Sequence, residues 1–386
     1  MRIAVVNRDD ISNVRSSSGY PYFMAKALQS HVGEVEFLSP DRSLLTRMLE
    51  KGGRGLSRAS FNVLGRRLSG DQNGVLSWRL AQVFSSRLAR SHFDIIFAPN
   101  ASVEIASLKT TTPIIYSSDQ TWANMVNYYG NTASLFDFAE GEADRIEALA
   151  LRNASAALFP SAWAANAARD HYGASPDKVH VVAWGANFDC EDLPPHEVAY
   201  KHTLKGDVML LWIGVDWNRK GGPVAFDCLT ELLDKNVSAR LTVCGCIPPE
   251  PFRHPRVTVI PFLSKTNPSE LSRLSKLFTE AHFFVFPTAA EAYGIVLCEA
   301  SAHGVPSLVR NTGGVGGAIE DGQNGFLMPA EAKGKDYAGK IVGILRTPGR
   351  YQDLVNGSRE AYEATLNWDA WGRSVRPIFE RVSGLR

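Results

Sequence analysis

Two glutamates, Glu291 and Glu299, lie eight residues apart in the run AHFFVFPTAAEAYGIVLCEASAHG at 281–304. Residues 283–286 are apolar and aromatic, which is typical of a buried parallel strand. The pattern that follows predicts a loop that contains Glu291 and a helix that begins near Tyr293. Glu299 would then lie about two helical turns beyond the loop. One carboxylate is therefore expected on each side of the start of a helix.

The start of this helix has the properties of a phosphate-binding site. The first amides of a helix, here those of Gly294, Ile295 and Val296, have no partner within the helix and lie at the positive end of its dipole. Gly294 also lets a ligand approach the backbone closely. Carboxylates on both sides suit a ligand with hydroxyl groups at both ends, such as a sugar joined through a diphosphate to ribose. A solvated Glu291 and a Glu299 in an ordinary helix ion pair are the alternative, which these residues alone leave open.

A second anion site is predicted at 208–222, where an apolar strand that ends at Gly214 leads into DWNRKGG. Two cations and two glycines at a strand-to-helix turn can bind an anion, with Lys220 as a point charge beside Arg219. A surface loop that ends in a helix-terminating glycine is the alternative. We favour anion binding, because this loop and the Glu291 loop both follow the carboxyl ends of predicted parallel strands.

Polar residues follow the predicted strands of the first half in the same way. Strands are predicted at 3–6, 93–97, 113–116, 156–159 and 179–182. Ligands of open parallel sheets bind beyond the carboxyl ends of the strands, although each polar residue taken alone is more often a loop cap. The candidates for an acceptor side are Gly19, Asn100, Asp119, Ser161 and Asn187.

Strands and helices alternate along the chain except between residues 190 and 206, where adjacent prolines and mixed charges indicate a linker. A length of 386 residues is ordinary for two domains. The sequence therefore predicts an α/β protein with a first domain over 1–195 and a second over 207–366. A last helix is predicted over 367–386.

The composition argues against several classes of protein. A formal net charge of +1 is low for a general nucleic-acid binder. Residues 1–6 lead directly into a strand, so we expect no secretory signal, and the longest apolar run, 208–215, is too short to cross a bilayer. The five cysteines include no CxxC pair and no zinc-type spacing, so we expect cytosolic thiols and no metal site.

Residues 42–90 carry ten arginines and lysines against two acidic residues, with apolar residues between them at helical spacing. Such a segment can dock on an anionic membrane surface, or it can hold an anionic acceptor. A basic face exposed to solvent, with the apolar side in the core, is the third interpretation.

Taken together, these segments resemble the family 4 glycosyltransferases of the GT-B fold. The second half carries IGVDWNRKGG at 213–222, EAYGIVLCE at 291–299 and NTGGVGGAIEDGQNGFLMP at 311–329. In the first half, FPSAWAANAARDHYGASPDKVHVVAWGANFD at 159–189 is similar to the family's element before the hinge between domains. The resemblance is weakest over 42–90, where acceptors are usually chosen.

The resemblance implies two Rossmann-like domains that face a cleft, with the last helix crossing back to the first domain. It implies a retaining, metal-independent transfer from a nucleotide-diphosphate sugar of the UDP or GDP type, with no cofactor. By position, Lys220 would hold the diphosphate, Glu291 the donor sugar and Glu299 the ribose hydroxyls. The remaining donor-side positions, which include a base contact near residues 262–263, are Gly214, Arg219, Phe262, Leu263, Tyr293, Gly294, Ile295 and Val296.

Three positions depart from the family pattern. Val215 replaces the arginine that often follows the strand-end glycine, which leaves Arg219 as the nearest substitute. Asp119 stands where many members have histidine, which implies either a different hold on the acceptor or a polar contact under the donor sugar. With Glu291 and Lys220, Asp119 forms the catalytic set that the resemblance implies. The run 313–317 is GGVGG, so the family's glutamate is missing there and one donor-side contact is loosened.

We therefore expect a cytoplasmic hexosyltransferase that moves a sugar to a glycan or lipid-linked acceptor in glycolipid or surface-polysaccharide assembly, with peripheral attachment to the inner face of the membrane as an option. Nucleic acid is not an expected partner. Two other classes stay open. One is a nucleotide-sugar binding protein whose catalysis has lapsed, which the missing arginine and glutamate favour, and the other is a nucleotide-sugar epimerase.

Overall fold

The computed structural model describes residues 1–11, 19–38, 43–126, 128–129, 134–195 and 206–384. The chain divides into two units, one formed by Met1–Val182 with Trp371–Arg386 and the other by Ala183–Ala370. Each unit is built on a parallel sheet of six strands. The α/β class that the alternating pattern predicts is confirmed.

The first unit contains the strands β1 (Arg2–Val6), β2 (Glu34–Leu38), β3 (Ile95–Pro99), β4 (Ile114–Ser117), β5 (Ala156–Phe159) and β6 (Val179–Val181). Its helices are α1 (Tyr20–His31), α2 (Leu44–Leu64), α3 (Gly74–Leu88), α4 (Ser102–Ala106), α5 (Trp122–Met125), α6 (Asp137–Asn153) and α7 (Ala162–Asp170). The strands lie in the order β2-β1-β3-β4-β5-β6. The order changes direction between β1 and β3, so the crevice of this sheet lies at their carboxyl ends.

The second unit contains the strands β7 (Val208–Ile213), β8 (Ala239–Cys244), β9 (Val257–Ile260), β10 (Phe283–Phe286), β11 (Ser307–Arg310) and β12 (Gly325–Met328). Its helices are α8 (Gly222–Asp234), α9 (Pro268–Glu280), α10 (Ile295–Ala302), α11 (Gly334–Arg346) and α12 (Arg350–Ala364). The strand order β9-β8-β7-β10-β11-β12 is that of a Rossmann sheet. The direction changes between β7 and β10, which pair with each other.

The last helix, α13 (Trp368–Ser383), returns to the first unit. The rings of Trp371 and Phe379 lie 6.2 and 5.9 Å from the ring of Phe97 in β3, measured between centroids. Aromatic burial of this kind fixes the helix against the sheet. The predicted return of the last helix to the first domain is therefore confirmed.

The boundary between the units lies earlier than the sequence predicted. The predicted first domain ends at residue 195, whereas the units divide directly after Val182. In the second unit, the indole of Trp368 donates a hydrogen bond to Asn187 Oδ1 over 2.9 Å. This contact fixes the segment after Val182 within the second unit, and it keeps Trp368 there, so that the returning segment begins at Trp371.

One predicted helix is shorter in the structure. The helix predicted over 121–129 is present as α5 alone, because Val126 leaves the helical conformation with a ψ of 126°. Some predicted features, namely 12–18 in the polar loop, Arg42, and 196–205 in the linker, lie outside the described residues.

Helix α2 leaves most of its apolar side outside the core, although Leu49 packs against the core. Of its residues, all of which the structure describes, Thr46 alone is buried. Leu45, Met48, Leu56 and Val63 are 53, 69, 63 and 80% exposed. The interpretation of this segment as a basic face with a buried apolar side is therefore wrong for α2.

Candidate functional site

The loops after β7 and β10 meet at the carboxyl edge of the second sheet. Lys220 follows β7 and Glu291 follows β10, and the two strands are neighbours. The Lys220 ammonium donates a hydrogen bond to Glu291 Oε2, and the two side chains are 15% and 14% exposed. The ammonium also lies 5.0 Å from the centre of the Phe286 ring. The fold thus pairs the cation and the carboxylate at the point where ligands of Rossmann sheets bind.

Arg219 joins these two loops. Its carbonyl accepts from Ala289 N over 2.7 Å, and its Nη1 donates to Ala290 O over 3.1 Å. Its Nε lies 3.6 Å from Asp216 Oδ2. The Arg219 side chain therefore holds the two loops together. This role differs from the phosphate contact that was predicted for Arg219 as a substitute for the family's arginine.

Close packing places Lys220 where it is. Trp212 of β7 donates its indole N–H to Lys220 O over 3.0 Å. A Cβ on Gly214 would lie 3.0 Å from Lys220 Cγ, so the strand-end glycine leaves room for the lysine. Gly221 has a φ of 74°, and a Cβ there would lie 2.0 Å from Pro287 O. The conformation of this turn therefore requires glycine.

Helix α10 begins next to Glu291 with unpaired amides. Gly294 precedes the helix in the left-handed conformation, with a φ of 89°. A Cβ on Gly294 would lie 3.3 Å from Glu291 Cγ. Among the described residues, the amides of Gly294, Ile295 and Val296 donate to no backbone or side-chain acceptor. These donors and the helix dipole favour an anion.

Glu299 lies inside α10 and has a partner that sequence reasoning missed. Its side chain is 4% exposed, and its Oε1 accepts a hydrogen bond from Lys265 Nζ. Lys265 lies in the loop between β9 and α9, two residues after Leu263. The sequence shows a lysine close to the predicted base contact at a strand end, but no local pattern identifies Glu299, 34 positions away, as its partner.

The other end of α10 is fixed by side chains from two helices. His303 Nδ1 lies 2.8 Å from Glu299 O, and His303 Nε2 lies 2.9 Å from Ser275 Oγ in α9. Arg359 of α12, which is 8% exposed, donates from Nη1 to Ala302 O. A cation at the carboxyl end of a helix stabilises its dipole. Helix α10 is thus held by contacts at its carboxyl end, opposite the end with the unpaired amides.

The remaining donor-side candidates differ in what they present. Tyr293 is buried, and its hydroxyl accepts from Trp184 N over 3.0 Å and donates to Trp184 O over 3.1 Å. Phe262 is 65% exposed, and Leu263 is half-buried just beyond β9. The Tyr293 side chain therefore fixes the loop before α10 to Trp184, and the roles of Phe262 and Leu263 toward a base stay predictions.

The acceptor-side candidates lie at several strand ends, and two of them have structural roles. Asn100 follows β3 with a φ of 50°, and Asp119 follows β4. Gly19 precedes α1 with a φ of 87°. Ser161 caps α7, where its hydroxyl accepts a backbone N–H of that helix. Asn187 belongs to the second unit, because its carbonyl accepts the indole N–H described above, so its assignment to the first domain is wrong.

A buried ion pair at the crevice of the first sheet was also missed. Arg8 follows β1, and Glu104 lies in α4 after β3. Arg8 N donates to Glu104 Oε1 over 2.9 Å, and Arg8 Nε lies 3.5 Å from the same oxygen. Burial raises the pKa of Glu104, and the Arg8 charge opposes this shift. The polar run RDD directly after the first predicted strand was the signal for this pair.

The described residues contain neither a metal-ligand cluster nor a membrane-spanning helix. The described part of the chain contains no group of three histidine, cysteine, aspartate or glutamate side chains that could hold a metal ion. The thiol of Cys298 is buried, and burial raises its pKa to about 12. Among the same residues, no helix is both long enough and apolar enough to cross a membrane.

Comparison with known protein families agrees with the motifs and the geometry. Residues 20–185 match the model of the glycosyl transferase 4-like domain, and residues 207–347 match the model of glycosyl transferases group 1. The chain belongs to the family 4 glycosyltransferases. The second match contains Lys220, Glu291 and Glu299.

A curated relative that the chain is similar to is D-inositol 3-phosphate glycosyltransferase 2 of Catenulispora acidiphila. The two are 26% identical over 231 residues, which cover 56% of this chain and 53% of that protein. The chain thus spans about half the length of this relative.

Solved structures show the same fold. Sucrose-phosphate synthase from Thermosynechococcus elongatus has a TM-score of 0.68 at 15% identity, with 100% of this chain and 99% of that chain covered. Anabaena HepE in complex with UDP and glucose has a TM-score of 0.62 at 14% identity, with 98% and 99% covered. These likenesses confirm the GT-B fold that the sequence motifs implied.

Proposed function

We propose that this chain transfers a sugar, of the hexose type, from a nucleoside-diphosphate sugar to an acceptor with retention of configuration. The observation that carries the proposal is the Lys220–Glu291 pair beside the unpaired amides at the start of α10. One cation, several amide donors and two carboxylates match the diphosphate, the sugar and the ribose of such a donor. HepE was solved with UDP and glucose, which favours a donor of the UDP type, and a GDP donor is the alternative.

The proposed chemistry is electrostatic. As the bond between the anomeric carbon and the diphosphate breaks, charge develops on the departing phosphate oxygen, and Lys220 with the α10 amides stabilises it. The acceptor hydroxyl forms the new bond to the anomeric carbon on the same face, and its proton passes to the departing phosphate. Glu291 holds hydroxyls of the donor sugar. In this scheme Lys220 supplies the positive charge, and neither a metal nor a cofactor is required.

One observation favours a second candidate, a nucleotide-sugar binding protein without turnover. Val215 stands where the family often has arginine, and it is 66% exposed. Arg219, the nearest substitute, is engaged with Ala290 O. The diphosphate would then lack one of its usual cations, which would lower the stabilisation of the leaving group.

The test compares the wild type with Glu291→Gln over UDP-, GDP- and ADP-sugars, with and without a panel of glycan and lipid-linked acceptors. Product is followed by mass spectrometry. We expect wild-type transfer or slow donor hydrolysis, and a loss of kcat/KM in Glu291→Gln of about 100-fold, as for removal of one preorganised polar group. The matched control is Glu280→Gln, because Glu280 forms an exposed pair with Lys276 on α9.

Each class of protein predicts a different result. Full activity of Glu291→Gln would show that Glu291 has been assigned the wrong role. Tight nucleotide binding with no turnover over the whole panel supports the binding protein. Conversion of the donor alone into its epimer would establish an epimerase instead.

We further propose that α2 attaches the protein to the surface of an anionic membrane, where a lipid-linked acceptor is reached. Leu45, Met48, Leu56 and Val63 form an exposed apolar stripe, and basic residues lie beside it on the helix. Such helices bind with the apolar stripe in the lipid interface and the cations near anionic headgroups. This attachment is consistent with an acceptor used in glycolipid or surface-polysaccharide assembly.

A further inference from the structure

Among the charged groups that the structure describes in the second unit, the carboxylate of Glu299 is the most deeply buried. Its side chain is 4% exposed, whereas that of Glu291 is 14% exposed. A carboxylate at this depth has lost most of its contact with water, and a cation or several donors must compensate for that loss. The Lys265 ammonium, which is 30% exposed, donates to Glu299 Oε1.

The position of Lys265 is itself defined. Its ammonium lies 5.2 Å from the centre of the Phe188 ring, a distance at which a cation is attracted by the ring face. Phe188 is 6% exposed and packs against His303, with ring centroids 5.3 Å apart. The lysine is thus held between a buried ring and a buried carboxylate.

No other cation takes this role. His303, directly after the same helix, contacts the backbone carbonyl of Glu299 and the hydroxyl of Ser275. Cys298 directs its thiol to Trp184 O, 3.4 Å away. Among the described residues, the Glu299 carboxylate has its ion pair with Lys265 alone.

The pairing with Lys265 leaves part of the Glu299 carboxylate as an acceptor for a ligand. A carboxylate has two oxygens and about four lone-pair sites. Lys265 binds Oε1 and thereby restricts the carboxylate, and among the described residues no hydrogen bond reaches Oε2. Two adjacent hydroxyl groups, as in ribose, require an acceptor with this kind of fixed geometry.

We propose that Lys265 is a positioning residue for the nucleoside end of the donor. It holds Glu299 in the orientation in which the carboxylate accepts hydrogen bonds from the ribose hydroxyls. The proposal rests on the donor use proposed above, and it assigns to Lys265 the discrimination between ribose and deoxyribose.

The experiment measures dissociation constants of UDP, GDP and their 2′-deoxy analogues by isothermal titration calorimetry. We expect the wild type to bind the ribonucleotide at least tenfold more tightly than its deoxy analogue, because the deoxy analogue leaves Glu299 partly unpaired. In Lys265→Met the ratio should fall below about twofold, and Lys265→Arg should restore most of it. Lys276→Met, which breaks an exposed lysine–glutamate pair, should leave the ratio unchanged.

The ratio separates positioning from a structural role. If Lys265→Met weakens both nucleotides equally and keeps the ratio, Lys265 supports the fold only and the proposal is overturned. If Lys265→Met does not fold, the double variant with Glu299→Gln removes both charges. The double variant must then show the same low ratio of the two dissociation constants as Glu299→Gln alone. A higher ratio in the double variant overturns the proposal. A wild type that binds neither UDP nor GDP would instead refute the proposed donor use.

Discussion

Glu147, on α6 of the first unit, is a buried carboxyl group that forms no ion pair with any cation in the described part of the chain, in contrast to Glu299 in the second unit. It accepts a hydrogen bond from the Tyr116 hydroxyl over 3.0 Å. Burial raises its pKa from 4.5 to about 7, and the Tyr116 hydrogen bond opposes the shift. A neutral donor therefore compensates for only part of the loss of water, and the stability of the first unit is coupled to pH.

The sign of this coupling follows from proton binding. The folded state holds the Glu147 proton more tightly than the unfolded state does, so the free energy of unfolding decreases as pH rises from about 4.5 to about 7. The decrease is on the order of 3 kcal/mol at most. Glu147→Gln should keep an acceptor for Tyr116 and remove this decrease. Relative to the wild type, the variant should therefore be more stable at pH 8 than it is at pH 5.

Urea unfolding at the two pH values measures the effect. Glu360→Gln, which changes an exposed carboxylate on α12, is the control. Equal pH dependence in the two variants would show that Glu147 titrates normally in the fold.

The sequence alone pointed to some of the donor-side residues and missed others. Glu291 and Lys220 were recognisable because each follows a strand and precedes a glycine-containing helix start. Lys265 was missed because its partner is 34 positions away. Tyr293 was predicted as a ligand contact, but its hydroxyl binds the backbone of Trp184, 109 positions away. Pairings over such distances depend on the fold and leave no local pattern.

A substitution at Gly294, at the start of helix α10, tests the proposed phosphate site. Gly294→Ala places a Cβ in the left-handed region, 3.0 Å from Leu297 Cδ1. We expect a loss of about 1–2 kcal/mol in the free energy of unfolding, together with a rise in the donor KM, because the first amides of α10 shift. The control is Gly339→Ala, in an open and exposed part of α11, which should stabilise by about 0.5–1 kcal/mol.

Denaturant titrations and donor KM values check both variants. An unchanged donor KM in Gly294→Ala would show that this helix start does not bind the diphosphate. A loss of stability in Gly339→Ala would show that the strain is not specific to the left-handed position.

Helix α2 tests the proposed membrane contact. Binding to vesicles of phosphatidylcholine and phosphatidylglycerol should fall steadily as NaCl rises, because salt screens the basic side chains. Exchanging Met48 and Leu56 for glutamine should weaken binding by about tenfold or more, since each buried apolar side chain contributes about 1.5–3 kcal/mol. Val215→Gln, an equally exposed apolar position in the second unit, should have no effect.

A flotation assay over the salt series measures this binding. Binding that ignores both salt and lipid charge would contradict the electrostatic part of the proposal. Equal binding by wild type and the double glutamine variant would exclude the apolar stripe as the contact.

Elements with continuous apolar runs were predicted with accurate bounds. The strands predicted at 156–159 and 283–286 coincide with β5 and β10, because buried parallel strands are apolar throughout and end at polar residues. The helix predicted over 121–129 was wrong beyond α5, since a local capping box starts this helix but Val126 ends it after one turn.

At the scale of the whole molecule, the sequence indicated two α/β domains but could not indicate the order of their strands. The orders place β1 next to β3 and β7 next to β10, and both pairings join segments that are distant in the chain. The neighbouring positions of Lys220 and Glu291 follow from the second of these pairings. The polar loop chemistry was therefore readable in the sequence, whereas its convergence at one sheet edge required the topology.

Since Lys220, Glu291 and Glu299 all lie in the second unit, donor binding should stabilise that unit more than the first. A nucleoside diphosphate at about one hundred times its Kd adds about 2.7 kcal/mol to the free energy of unfolding of the state that binds it. Hydrogen exchange of the full chain measures this change strand by strand. We expect the gain in protection in β7 and β10, whereas β1 and β3 should change little. Lys220→Ala should abolish the gain at the same ligand concentration, because it removes the cation that faces the diphosphate. A gain of equal size in β1 and β3 would instead place the nucleotide on the first sheet, and the assignment of the donor to the second unit would have to be abandoned.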